Sequence, residues 1–294
     1  MMHKILKVVL KPVWSLVLPA CLVLSLSACM TMQIGERNFI HPDSKSGYKQ
    51  QEHFDQAALQ RVASNTSLQE HSITTADGQT LRGVSMLQAG AGVTVLYFGG
   101  NMFHLDRHAG QIAAALGQCK LNLFIFDYRG YGRSSGEPSV DTMRSDALQI
   151  YDYVRQHSQG KLIVHGQSLG SFMAAHVAQQ RQPDGLVMES TANNAYAWAS
   201  ANIPWYARPF VSIELSPALK NIDNVSALAA YTGNSLLVMG DKDKVTPLEL
   251  GQKVYAAIPQ GNKRLFVSAG GGHDGLLERD DVQGAYCSFV QAFK

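Results

Sequence analysis

Charge of one sign, long apolar runs and metal-ligand clusters are all scarce in this chain. Its 25 Lys and Arg face 23 Asp and Glu, a formal net charge of +2, with no basic block or stripe. That balance argues against a nucleic-acid-binding surface. No repeat period of 20–50 residues, heptad pattern or collagen-type triplet is present, which excludes solenoids, coiled coils and fibrous folds. There is no H-E-x-x-H, no paired Cys/His zinc spacing and no EF-hand loop, so no metal is implied. Gly99-Gly100 follows neither the Rossmann pattern nor a P-loop with its lysine, so no nucleotide cofactor is implied. Only one uncharged apolar stretch approaches membrane length, which excludes a polytopic membrane protein. Disorder of the whole chain is excluded by a hydrophobic content of 46%.

That one stretch lies at the N-terminus. Lys4, Lys7 and Lys11 precede a run without charge from residue 12 to residue 35. A basic leader followed by an apolar core reads as an export signal. The run closes on Leu26-Ser27-Ala28-Cys29, which resembles the bacterial lipoprotein lipobox: an aliphatic residue, two small ones and the cysteine to be acylated. Leu18-Pro19-Ala20-Cys21 is a poorer match, because proline sits where a small residue is preferred. An uncleaved anchor and an ordinary secretory signal are the competing readings. On the lipobox reading residues 1–28 leave and Cys29 becomes a lipidated N-terminus, attached firmly because several acyl chains hold where one does not. Three lysines leave too, so 22 basic residues then face 23 acidic ones. Met30 rather than Asp follows the cysteine, which by resemblance to diderm lipoproteins implies the outer membrane of the cell envelope. Cys119 and Cys287 then remain; a bridge and two buried free thiols both stay open.

Residues 29–70 are polar, with a weak helical stretch over 48–62, and read as a tether and first helix. Residues 71–294 read as one catalytic-sized domain. Alternation on either side of Asp77-Gly78 predicts a hairpin. Apolar strands are then expected over 93–98, 121–126, 161–165, 186–188, 236–239 and 264–268. Helical patterns fall between and after them, over 105–116, 141–155, 168–179, 247–258 and 276–293. Continuous apolar strands separated by helices predict an α/β fold, a mostly parallel twisted sheet covered on both faces. The interval of about 191–234 holds no expected strand, yet carries Trp198, Trp205, Tyr206 and Phe210. It reads as a helical cap over the carboxyl edge of the sheet, with Trp198, Trp205 and Tyr206 as substrate contacts; a helical excursion packed on the core is the alternative.

The chemistry is expected at strand ends. Gly166-Gln167-Ser168-Leu169-Gly170, between an apolar strand and a helix, fits the nucleophile elbow G-x-S-x-G. Serine needs a base that is itself held by an acid. In the chain order of such sites the acid follows a later strand and the base comes last. Asp243 in Gly-x-x-Asp-x-x-x-Pro is the acid, with Asp241 read as a turn residue; His273, after Gly272, is the base. Asp274 is read as a loop contact, and His165 as a satisfied core residue. His104 is a minor candidate for touching substrate. An oxyanion hole needs two backbone donors: Leu169 and, from the loop after 93–98, Asn101, with Met102 kept open and also a substrate contact.

These pieces resemble the α/β-hydrolase superfamily over about residues 70 to 294. The run Phe126-Asp127-Tyr128-Arg129-Gly130-Tyr131-Gly132-Arg133-Ser134 is similar to the loop of its depalmitoylase and serine aminopeptidase-like branch, where it lies near the mouth of the site. Relatives usually carry His-Gly-Asn where this chain has Gly99-Gly100-Asn101. The resemblance implies a serine hydrolase cleaving carboxylic esters or thioesters, including acylated small molecules, through an acyl-enzyme on Ser168. A peptidase or amidase of the same fold and a non-catalytic surface scaffold are the alternatives.

Overall fold

The structure, a computed structural model, describes residues 30–259 and 261–294. In chain order the first elements are β1 (Met30–Ile34), α1 (Glu36–Phe39), α2 (Asp43–Ser46) and α3 (Gln56–Gln60). The hairpin β2 (Thr66–Thr74) and β3 (Thr80–Gln88) follows. Then come β4 (Val93–Phe98), α4 (Leu105–Gly117), β5 (Asn122–Phe126), α5 (Val140–His157), β6 (Lys161–Gln167), α6 (Leu169–Arg181) and β7 (Gly185–Glu189). The cap holds α7 (Ala195–Ala201), β8 (Val211–Leu215), α8 (Pro217–Lys220) and α9 (Asn224–Leu228). The chain closes with β9 (Asn234–Gly240), α10 (Leu248–Ala257), β10 (Lys263–Ser268) and α11 (Asp280–Gln291).

Eight strands form one sheet in the order β10-β9-β7-β6-β4-β5-β3-β2. The hairpin pairs antiparallel, as does β3 with β5, and the remaining neighbours are parallel. All six residues of β4 are buried, which is why its sequence is uniformly apolar or small. One face carries α5, α6 and α10, and the other carries α4 and α11. The helix α5 shows how local sequence makes these elements. Ser139 accepts from the Thr142 N–H at 3.1 Å and closes a capping box. Val140, Met143, Ala147, Ile150 and Val154 then fall on one buried stripe. Each large apolar side chain so buried contributes about 1.5–3 kcal/mol.

The path from β4 to β5 leaves on one side of β4, and β6 returns on the other. The crevice beyond the carboxyl ends of β4 and β6 is therefore the topological switch point, where open α/β sheets bind ligands.

Three expectations change. The stretch expected to be a tether is folded onto the domain: β1 pairs in parallel with β8, and Phe39 and Ile40 join the core. Its helix is only Gln56–Gln60, because Asp55 caps it by accepting from Ala58 N–H and the polar residues before it have no apolar face to bury. The cap is not wholly helical, since β8 is a strand whose partner lies far back in the sequence. Cys119, just after α4, and Cys287 in α11 are joined by a disulfide, their Cα atoms 4.7 Å apart. Cys29 and the rest of the export signal lie outside the described residues; among those described, no helix is long and apolar enough to cross a membrane.

Candidate active site

The turn from β6 into α6 places Ser168 at φ 52° and ψ −115°. A non-glycine residue held there stores about 1–3 kcal/mol of strain, which the surrounding packing must offset. The flanking glycines permit it. A Cβ on Gly170 would stand 2.1 Å from the Phe98 carbonyl oxygen, and one on Gly166 would stand 2.3 Å from the Gly170 carbonyl oxygen. The Ser168 N–H donates to the Glu189 carbonyl at 2.9 Å, which ties the turn to the end of β7.

His273 enters from the loop after β10 and Asp243 from the loop after β9. His273 Nε2 lies 2.9 Å from Ser168 Oγ, and His273 Nδ1 lies 2.9 Å from Asp243 Oδ2. A carboxylate only accepts, so Nδ1 carries the proton and Nε2 is left to accept from the serine hydroxyl. Burial pulls the imidazole pKa down; the hydrogen bond and charge of Asp243, with Asp274 and Glu189 nearby, outweigh it and hold it above the ordinary 6.5. Burial pushes the Asp243 carboxyl up, but hydrogen bonds from His273 and Thr246 bring it below its usual value.

The sequence pattern does not mark Thr246. Its Oγ1 lies 2.7 Å from Asp243 Oδ2, 2.9 Å from the Ser190 carbonyl and 3.1 Å from His273 Nδ1. The N–H groups of Val245 and Thr246 each donate to Asp243 Oδ1 at 2.8 Å. Its one signal in the sequence is its place between Asp243 and Pro247, in a turn that wraps the carboxylate. Ser190 Oγ donates to the His273 carbonyl at 2.8 Å and fixes the backbone of the loop.

Leu169 is the first residue of α6, whose N–H has no acceptor within the helix. Across the crevice, the N–H groups of Asn101 and Met102 make no loop hydrogen bond among the described residues. The run from Phe126 to Ser134 braces that loop. Tyr128 Oη donates to the Gly99 carbonyl at 2.7 Å, and Tyr131 Oη donates to Asn101 Oδ1 at 3.1 Å. The Asn101 side chain also accepts from the His41 N–H at 3.0 Å and donates to the Phe39 carbonyl at 2.9 Å. The N-terminal segment is thereby fastened to the loop after β4.

A cavity of about 220 Å³ opens at Ser168 and His273, walled by Phe39, Leu169, Phe172, Trp198 and Val245, with Met102 at its edge. Of the expected substrate contacts, Trp198 and Met102 line it. Trp205 and Tyr206 do not: they sit in the turn after α7, 78% and 65% exposed, edge-to-face with each other. That turn leaves the helix on its solvent side. A second cavity of about 490 Å³ adjoins the first at Gly100, Asn101, Met102, Gln167 and Asp274. It is polar, with Arg107, His108, Glu189 and Glu278 on its walls.

Asp241 is a turn residue, accepting from Gly270 N–H at 2.7 Å. Asp274 lines both cavities. His165 is buried between Glu189 and Tyr286 at 3.0 and 3.2 Å. His104 lines neither cavity. It is buried, 2.6 Å from Asp43 and stacked on Tyr48, because the N-terminal segment covers it.

The family model of serine aminopeptidase S33 matches residues 91–226. An uncharacterized protein of Mycobacterium tuberculosis is 29% identical over 207 residues, 69% of this chain and 71% of its own length. The lysophosphatidylserine lipase ABHD12 of Danio rerio is 26% identical over 225 residues, 67% of this chain and 58% of its own length. The esterase Pf2001 of Pyrococcus furiosus superposes with a TM-score of 0.66 at 18% identity, over 84% of this chain and 96% of that one. The chain has the α/β-hydrolase fold, and its relatives include hydrolases.

Proposed function

We propose that this protein is a serine hydrolase that cleaves carboxylic esters or thioesters of apolar acyl groups. The observation that carries the reading is the unbroken relay from Asp243 through His273 to Ser168 Oγ, each link 2.9 Å. In this reading His273 Nε2 removes the hydroxyl proton as Oγ attacks the acyl carbonyl. The N–H groups of Leu169 and of Asn101 or Met102 take the oxyanion. His273 then protonates the leaving alkoxide or thiolate, and water activated by the same imidazole releases the acid. Asp243 keeps the imidazole in the required tautomer and stabilises its charged form. The apolar cavity suits the acyl chain, and the polar cavity suits the alcohol or thiol part. Replacing Ser168 with Ala should abolish p-nitrophenyl ester turnover and labelling by a fluorophosphonate. Unchanged turnover refutes the assignment, and failure of the folded wild type to label favours a non-catalytic scaffold.

The acidic wall of Glu189, Asp274 and Glu278 gives a second reading specific support: an aminopeptidase or amidase, with the substrate's ammonium in the polar cavity. Matched aminoacyl ester and amide substrates separate the two. We also propose that Cys29 is lipidated and holds the protein in the cell envelope, in the outer membrane. The Cys119–Cys287 bridge supports an oxidising compartment. Incorporation of a radiolabelled fatty acid, lost on Cys29→Ser, tests the anchor.

A further inference from the structure

The exposed large apolar side chains are concentrated around the cap and the mouth of the Ser168 cavity. Trp205, Tyr206 and Phe210 stand 78%, 65% and 46% exposed, and Met30 stands 58% exposed. They are connected through the structure. Met30 pairs with Val211, the residue after Phe210, in the β1–β8 ladder. The Arg208 guanidinium folds back onto the Ile203 and Ala201 carbonyls, holding the turn that carries Trp205 and Tyr206. Asn202 Nδ2 donates to the carbonyl of Val245, a wall of the cavity, at 3.1 Å. The rim therefore runs from the first described residue to the cavity mouth.

Charge is sparse along it. From residue 190 to residue 219 the only charged residues are Arg208 and Glu214, and Glu214 accepts from the Gln33 amide at 2.8 Å. Such a surface gives up little hydration when it leaves water. Trp and Tyr carry an apolar body and a polar tip, the combination that favours a membrane–water interface.

What covers the rim is indicated by the chain outside the structure. The uncharged run of residues 12–35 passes from Cys29 into the domain at Met30, on the rim itself. One residue spans about 3.5 Å, so a bilayer that holds residue 29 lies against this face.

We infer that Trp205, Tyr206, Phe210 and Met30 form a bilayer-docking face that sets the mouth of the Ser168 cavity against the membrane, so that acyl substrates enter from the lipid. The docking rests on the rim and the anchor; only its effect on turnover rests on the proposed acyl-hydrolase reading.

The test uses the processed protein, residues 29–294 with its anchor, reconstituted in vesicles of phosphatidylethanolamine and phosphatidylglycerol containing lipids brominated near the headgroup. Tryptophan emission is quenched, and Trp205→Phe removes a distinct part of that quenching while the part due to Trp198 is unchanged. In Trp205→Ala/Tyr206→Ala/Phe210→Ala, turnover of a vesicle-embedded long-chain ester relative to a soluble short-chain ester falls by about tenfold. Ser168→Ala loses turnover and keeps the quenching, so failure of the chemistry and failure of the docking are read apart. Identical quenching with and without Trp205, together with an unchanged turnover ratio in the triple variant, overturns the inference and leaves the rim facing water or another protein.

Discussion

Thr246 shares the Asp243 carboxylate with His273, so its hydroxyl helps decide where that carboxylate points. Thr246→Val removes one hydrogen bond, costs about 1 kcal/mol and lowers kcat/KM roughly fivefold, readable with any turned-over ester. Asp243→Asn is far more severe. It keeps the shape but presents an amide where the imidazole needs an acceptor, and the expected loss in kcat is about 10⁴-fold. The pH profile separates the two roles of the carboxylate. In the proposed mechanism His273 works as a base only when neutral, and Asp243 holds its pKa above 6.5, so kcat/KM should rise with pH through a midpoint above 6.5. Any residual activity of Asp243→Asn should show that midpoint moved to lower pH. A midpoint that stays put means the carboxylate does not set the imidazole's affinity for its proton.

At the scale of elements, the loop after β4 is held by segments far from it in sequence. Asn101 ties it to Phe39 and His41, and Tyr128 ties it to the β5–α5 connection. Asn101→Ala should free the N-terminal strap, displace Phe39 from the cavity wall and lower kcat/KM for long acyl chains more than for acetyl esters; a uniform loss across chain lengths counts against a wall role. This geometry also shows which parts of the site sequence reasoning reaches. The strand 93–98, the elbow at Ser168 and the order of Asp243 and His273 are legible because each rests on a local pattern: an apolar run, a glycine-spaced turn, a loop after a strand. The β1–β8 pair is not. Two five-residue strands whose partners are 181 positions apart carry no local signal, and β1 follows directly on an apolar leader that masks it. Phe39 is hidden for the same reason, because its role as a wall exists only once the strap is fastened. Trp205 and Tyr206 mislead in the opposite direction, since aromatic content alone does not say which side of a turn faces the cavity.

For the molecule as a whole, the disulfide joins the end of α4 to α11 across a separation of 168 residues. Reducing it, or replacing both cysteines with alanine, should cost about 2–5 kcal/mol and lower Tm by several degrees, measured by calorimetry with and without reductant. Turnover at 25 °C should survive, because neither cysteine lines either cavity.

The β1–β8 ladder carries a mechanical consequence. A load applied at residue 29 runs along β1, parallel to its partner strand, so five residue pairs resist together as a lap joint rather than opening one after another. Five residues past the end of that joint the backbone arrives at Phe39. Tension on residue 29 would be borne by the cap before it could reach Phe39 in the cavity wall.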